Sequence, residues 1–81
     1  MKFRFTAKAE RDYDLLSPTL QARVDKQIAL LLQNLRHPSL RAKKYDERRD
    51  IWQARVNDNY RFHFQIEDDI YAIITIIPHP K

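Results

Sequence analysis

The chain has 81 residues, 15 Lys and Arg against 11 Asp and Glu, a net charge of +4, and neither glycine nor cysteine. Without glycine there is no Gly-rich phosphate loop, dinucleotide fingerprint or nucleophile elbow, because each needs backbone geometry or a close approach that a Cβ obstructs; without cysteine there is no disulfide framework, thiol nucleophile or Cys-ligated zinc. A domain of this size buries only about 60% of its unfolded surface, yet 43% apolar content with nine aromatics supports one core, so a single domain over residues 1–81 is expected.

Lys2 to Phe5 alternates polar and apolar residues and reads as a strand. No apolar h-region follows the first Met, so a secretory signal is not expected and a reducing, cytoplasmic location is the default. From about Ala7 to Leu16 the period becomes helical, with Ala9, Tyr13 and Leu16 on one side. Ser17-Pro18 supplies an N-cap and a proline at the first helical position. A second helix starts there and runs to roughly Leu35, its apolar stripe drawn by Leu20, Val24, Ile28, Leu31, Leu32 and Leu35. Arg36-His37-Pro38 stops it.

The stretch from Arg36 to Asp50 is basic, with Arg41, Lys43, Lys44, Arg48 and Arg49 set against Asp46, Glu47 and Asp50. A short edge strand around Ala42 to Asp46 fits inside it, with lysine guarding the edge. Ile51 to Val56, Tyr60 to Ile66 and Ile70 to Ile77 are β-rich runs joined by Asn57-Asp58-Asn59 and Glu67-Asp68-Asp69, two hairpin turns of the residues that tolerate positive φ where glycine is absent. The longest apolar run, Ile70 to Ile77, is a strand and is too short for a membrane span.

Strand parity sorts the hairpin into two faces. Trp52, Ala54 and Val56 with Tyr60, Phe62, Phe64 and Ile66 form a core face; Gln53 and Arg55 with Arg61, His63 and Gln65 form a polar one. Burial fixes the parity, and a three-residue loop places Arg55 opposite Arg61 and Gln53 opposite His63. Two like charges directly across a sheet repel at a cost of about 0.2–1 kcal/mol, which a bound anion would offset. Carried to the third strand, the same parity puts Ala72, Ile74 and Ile76 in the core and Tyr71, Ile73, Thr75 and His79 on the arginine side.

This gathers Arg55, Arg61, His79 and Lys81, flanked by His63. A phosphodiester suits the set: guanidinium forks match charge growing on non-bridging oxygens, and imidazole exchanges protons near neutral pH. The bland alternatives stand beside it. Arginines on a wet face serve solubility, a histidine between prolines can be a solvated tail, His63 and Gln65 can be plain wet-face residues, and Tyr45 can pack on the edge strand or stack on a base. No pair among His37, His63 and His79 has metal-ligand spacing, and Ser17 and Ser39 have no acid–base partner nearby, so neither a metal site, a cofactor nor a serine nucleophile is expected.

A strand, two helices and a meander whose middle turn reads Trp52-Gln53-Ala54-Arg55-Val56-Asn57-Asp58-Asn59-Tyr60-Arg61-Phe62 resembles the RelE/ParE superfamily of toxins from bacterial toxin–antitoxin systems, over almost the whole chain. The resemblance implies an α+β fold of order β-α-α-β-β-β, an antiparallel sheet with two N-terminal helices packed on one face. In the ribonuclease branch it implies metal-independent cleavage of mRNA on the ribosome by attack of a ribose 2′-OH on the adjacent phosphate. Arg61 then matches the phosphate ligand, Arg55 a backbone contact or proton-transfer aid, and His79 or Lys81 the C-terminal proton donor, with Arg41, Lys43, Lys44, Arg48, Arg49 and His63 holding RNA. The implied partners are a cognate antitoxin, mRNA and the ribosome, with no membrane. Gln53 stands where some relatives have lysine, and no C-terminal helix or tyrosine follows Lys81. The alternatives implied are a gyrase-inhibiting, non-catalytic branch and a degenerate RNA-binding homologue.

Overall fold

A computed structural model describes residues 1–79, folded as β1 (Lys2–Phe5), α1 (Ala7–Asp14), α2 (Pro18–Gln33), β2 (Lys43–Asp46), β3 (Ile51–Arg55), β4 (Tyr60–Glu67) and β5 (Ile70–Pro78). The five strands form one sheet in the order β1-β5-β4-β3-β2. The class is α+β as expected, with a correction: β1 runs parallel to β5, so the sheet is mixed and not purely antiparallel. A parallel neighbour needs a long crossover, and here everything between Phe5 and Ile70 supplies it. The edge strand expected near Ala42 to Asp46 is β2, a fifth strand at the far border of the sheet.

Both helices begin on side-chain caps. Thr6 Oγ1 accepts from the Ala9 amide at 3.2 Å and Ser17 Oγ from the Leu20 amide at 3.2 Å, with Pro18 opening α2. These oxygens satisfy amides that the first helical turn leaves without partners. The apolar stripe of α2 buries Val24, Ile28 and Leu31 in a cluster with Ala54, Val56, Phe62, Phe64, Tyr71, Ile73 and Ile76. Each large side chain so covered contributes about 1.5–3 kcal/mol relative to exposure. α1 is shorter than its pattern suggested: it ends at Asp14, and Leu15 is exposed. No helix among the described residues is long and apolar enough to cross a membrane.

The β3–β4 register is the one that parity requires, pairing Trp52 with Phe64, Gln53 with His63, Ala54 with Phe62 and Arg55 with Arg61. On β5 the parity reading fails up to Ile74 and holds beyond it, where Ile76 is a core residue and Thr75 lies opposite His63. Phe64 pairs with Ile73 while His63 pairs with Thr75, so Ile74 is an extra residue, a β-bulge. Tyr71 and Ile73 are therefore core residues, and only partial burial is left to Ile74.

The bulge lies where β5 loses its outer neighbour, since β1 pairs no further than Phe5 with Ile73. There α1 takes over the edge. Thr6 Oγ1 donates to the Ile74 carbonyl at 3.0 Å, and Asp12 accepts from Thr75 Oγ1 at 2.7 Å and from the Ile76 amide at 3.1 Å. Burial pushes the Asp12 pKa up, but hydrogen bonds from Thr75, Ile76 and Lys8 outweigh it and hold the carboxyl below the usual carboxylate value.

Candidate functional site

Beyond the bulge the alternation resumes one residue later, with Phe62 opposite Ile76 and Arg61 opposite Ile77. His79, whose amide donates to the Asn59 carbonyl at 2.7 Å, thereby falls on the face that carries Arg61. Had β5 paired without the extra residue, His79 would share the side of Tyr60 and Phe62. His79 reaches the arginine face because of the bulge.

Arg61 Nη1 donates to the Asn57 carbonyl at 2.5 Å and to the Tyr60 carbonyl at 2.9 Å, which fixes the guanidinium against the turn. Burial lowers its pKa first, and the positive charges of Arg55 and Arg41 add to that, with partial relief from Asp58. The site is one where positive charge is crowded and a bound anion is favoured. Arg55, its cross-strand neighbour, is ion-paired with Asp58 of the same turn. Of the two arginines, Arg61 alone faces the site without a carboxylate partner among the described residues.

A cleft of about 190 Å³ opens beside Arg61, lined by Arg41, Lys43, Gln53, Arg61 and His79. No carboxylate of the described residues lines it. Lys43 sits there because it pairs with Gln53 and so projects to the polar face, whereas Lys44 pairs with Trp52 and projects to the other. Lys44 is placed with its Nζ 5.0 Å from the Trp52 ring centre and bonded to Asp50. Arg49 pairs with Asp46 at 2.8 Å, and the amides of Arg48 and Arg49 are taken by Asp46 Oδ1. Lys44, Arg48 and Arg49 do not line the cleft. Lys81 lies outside the described residues.

His63 departs from its expected wet-face position. It is only 7% exposed, lies 3.2 Å from Gln53 Oε1 through Nε2, and has the Tyr45 ring 4.4 Å from its own between centroids. Burial pushes its pKa down, so the ring is neutral at neutral pH and offers no cation to RNA. Tyr45 is thus a packing residue on its inner side, with 57% of its surface still open.

Gln27 is a residue that the sequence pattern hid. It sits on the apolar stripe between Val24 and Leu31, fully buried, and its Nε2 donates to the Arg55 carbonyl at 2.8 Å and the Ser39 carbonyl at 3.3 Å. Arg23 Nε donates to the Val56 carbonyl at 2.8 Å, and the Arg55 amide to the Leu40 carbonyl at 2.7 Å. The end of β3 is therefore tied to α2 and to the loop after it. The signal was a lone amide on an apolar face. Among the described residues no three His, Asp or Glu side chains gather as a metal-ligand set would require.

Residues 3–80 match the sequence model of the ParE toxin of type II toxin–antitoxin systems, parDE. No curated protein matches the chain. Among solved structures, the chain is similar to the YoeB/ParE toxin from Agrobacterium tumefaciens, with a TM-score of 0.83 at 14% identity, covering 99% of this chain and 100% of that one. It is also similar to a chain of the RelBE2 toxin–antitoxin complex from Mycobacterium tuberculosis, with a TM-score of 0.76 at 23% identity and 96% of each chain covered. A chain of the intact E. coli RelBE toxin–antitoxin complex gives 0.74 at 16% identity, with 99% and 98% covered.

Proposed function

The chain belongs to the ParE toxin family of type II toxin–antitoxin systems, and from that premise and the geometry of the cleft we propose that this toxin is an endoribonuclease that cleaves mRNA on the ribosome. The observation that carries the reading is the convergence of Arg61, Arg41, Lys43 and His79 on one cleft into which no described residue brings a carboxylate. In the reaction the ribose 2′-oxygen bonds the adjacent phosphorus and loses its proton. The P–O5′ bond breaks, and the leaving oxygen takes up a proton. The products are a 2′,3′-cyclic phosphate and a 5′-hydroxyl. Arg61 stabilises the charge that grows on the non-bridging oxygens, Lys43 and Arg41 hold the flanking backbone, and His79 exchanges a proton with the reacting oxygens. No step is assigned to a metal.

A cognate antitoxin is the protein partner of this reading. An acidic or amphipathic segment laid over the cleft would neutralise the cations and close the site to RNA.

A second reading is favoured by one observation, the Arg55–Asp58 pair, which removes one of the two arginines from service. In it the toxin is a non-catalytic inhibitor of DNA gyrase that acts through protein contact. Expression in growing cells separates the two. The nuclease reading requires messages cut within translated regions and intact DNA, with both growth arrest and cutting lost in Arg61→Ala. Intact messages with accumulating DNA breaks establish the second reading and defeat the first.

A further inference from the structure

A second cleft, of about 170 Å³, lies at the C-terminal end of α2 and has Arg36, His37, Arg41 and Trp52 among its walls. Arg41 also lines the cleft of Arg61, so the two are neighbours across one side chain. The lining includes no carboxylate. Five other cations of the chain, Arg4, Lys8, Lys44, Arg49 and Arg55, are engaged by acids, whereas Arg36 and Arg41 enter no ion pair among the described residues.

Two local features prepare this place for an anion. The Ser39 amide donates to His37 Nδ1 at 3.1 Å, which leaves the ring proton on Nε2 as a donor. Arg41 is held at φ 46°, a left-handed conformation that a side chain with a Cβ resists. The other two positive-φ residues are Asp50 and Asp68, acids in hairpin turns of the kind that suits them. An arginine kept in that conformation where two basic clefts meet is strain located at a site.

We propose that the Arg36–His37–Arg41 cleft is a second phosphate-binding subsite for RNA, holding a backbone phosphate of the same strand whose scissile phosphodiester sits on Arg61. The inference rests on the nuclease reading above. It makes Arg41 the shared ligand of two phosphates and makes the length of the bound strand, not only its scissile step, a determinant of affinity.

The test measures binding of two uncleavable single-stranded probes, a 2′-deoxy dinucleotide and a 2′-deoxy octanucleotide, as salt is raised. Each phosphate neutralised on a single strand contributes about −0.7 to the slope of log affinity against log salt. Arg36→Ala is expected to weaken the octanucleotide several-fold and flatten its slope by about 0.7, leaving the dinucleotide unchanged, and Arg36→Glu to weaken the octanucleotide further. Arg61→Ala is expected to weaken both probes. If Arg36→Ala and Arg36→Glu bind the octanucleotide as wild type does while Arg61→Ala does not, the second subsite is overturned and the nuclease reading survives. If wild type binds neither probe, or Arg61→Ala binds both undiminished, the reading beneath it falls as well.

Discussion

Arg61 is held by two carbonyls of its own turn and meets no acid among the described residues, so its charge is available to a ligand at no cost in broken ion pairs. Removing a donor aimed at developing charge costs about 10²–10³ in rate. Arg61→Ala should lose cleavage by that factor while keeping a cooperative thermal transition, because the guanidinium ties the fold together only through two hydrogen bonds at a turn. His63 gives a different prediction. Its pKa is lowered by burial, so the folded state resists protonation; stability is unaffected above the ordinary value of 6.5 and falls as pH drops below it. Denaturant midpoints measured from pH 7 to pH 5 should decline in wild type and flatten in His63→Gln. An equally steep decline in the variant would show that another group carries the titration.

At the scale of elements, the hairpin of β3 and β4 was legible because its alternation is complete and one face is fully buried, so a slip of one residue would bury Arg55 and Arg61. The course of β5 was not. Its run from Ile70 to Ile77 is apolar on both sides, which gives parity nothing to hold, and the groups just beyond the bulge at Ile74 are met by an acid 62 residues earlier in the chain than Ile74, since Asp12 takes the Thr75 hydroxyl and the Ile76 amide. His63 escaped for a related reason: its cover is Tyr45 from β2, an element of four residues set in a charged stretch. Gln27 carries no signal in the helical pattern, because its acceptor on β3 is 28 residues away in the chain.

Asp12→Ala should therefore cost about 1–3 kcal/mol, the range for leaving a covered polar group without its partner, seen as a lower thermal midpoint and faster exchange of the Ile76 amide. Because the Asp12 pKa is held down in the folded state, wild type keeps this contribution above the ordinary carboxylate range and loses it as pH falls through the lowered value. The variant should lack that part of the acid limb.

The whole molecule carries a net charge of +4; Arg36, Arg41, Lys43 and Arg61, none of them ion-paired among the described residues, line the two clefts, while five of its acids are spent on internal ion pairs. Family and fold class were readable from the turn between Trp52 and Phe62 and the order of elements. What binds across the charged face was not, because that depends on which basic residues keep their charge free. Arg41 and Lys43 do, while Lys44 and Arg49 are neutralised by neighbours. An antitoxin that masks this face should bind less tightly as salt rises, since separated surface charges are screened within about 8–10 Å at 0.1–0.15 M. Affinity unchanged between 0.05 and 0.5 M salt, roughly a threefold change in screening length, would mean that apolar contacts hold the complex instead.

The chemistry of the ends left on a ribosome-bound message puts the nuclease reading to its most direct test. With purified toxin, new 5′-hydroxyl and 2′,3′-cyclic phosphate termini are expected within the codon occupying the ribosome, formed about 10²–10³ more slowly by Arg61→Ala. Messages that stay whole, or cleavage that proceeds undiminished in Arg61→Ala, would contradict it.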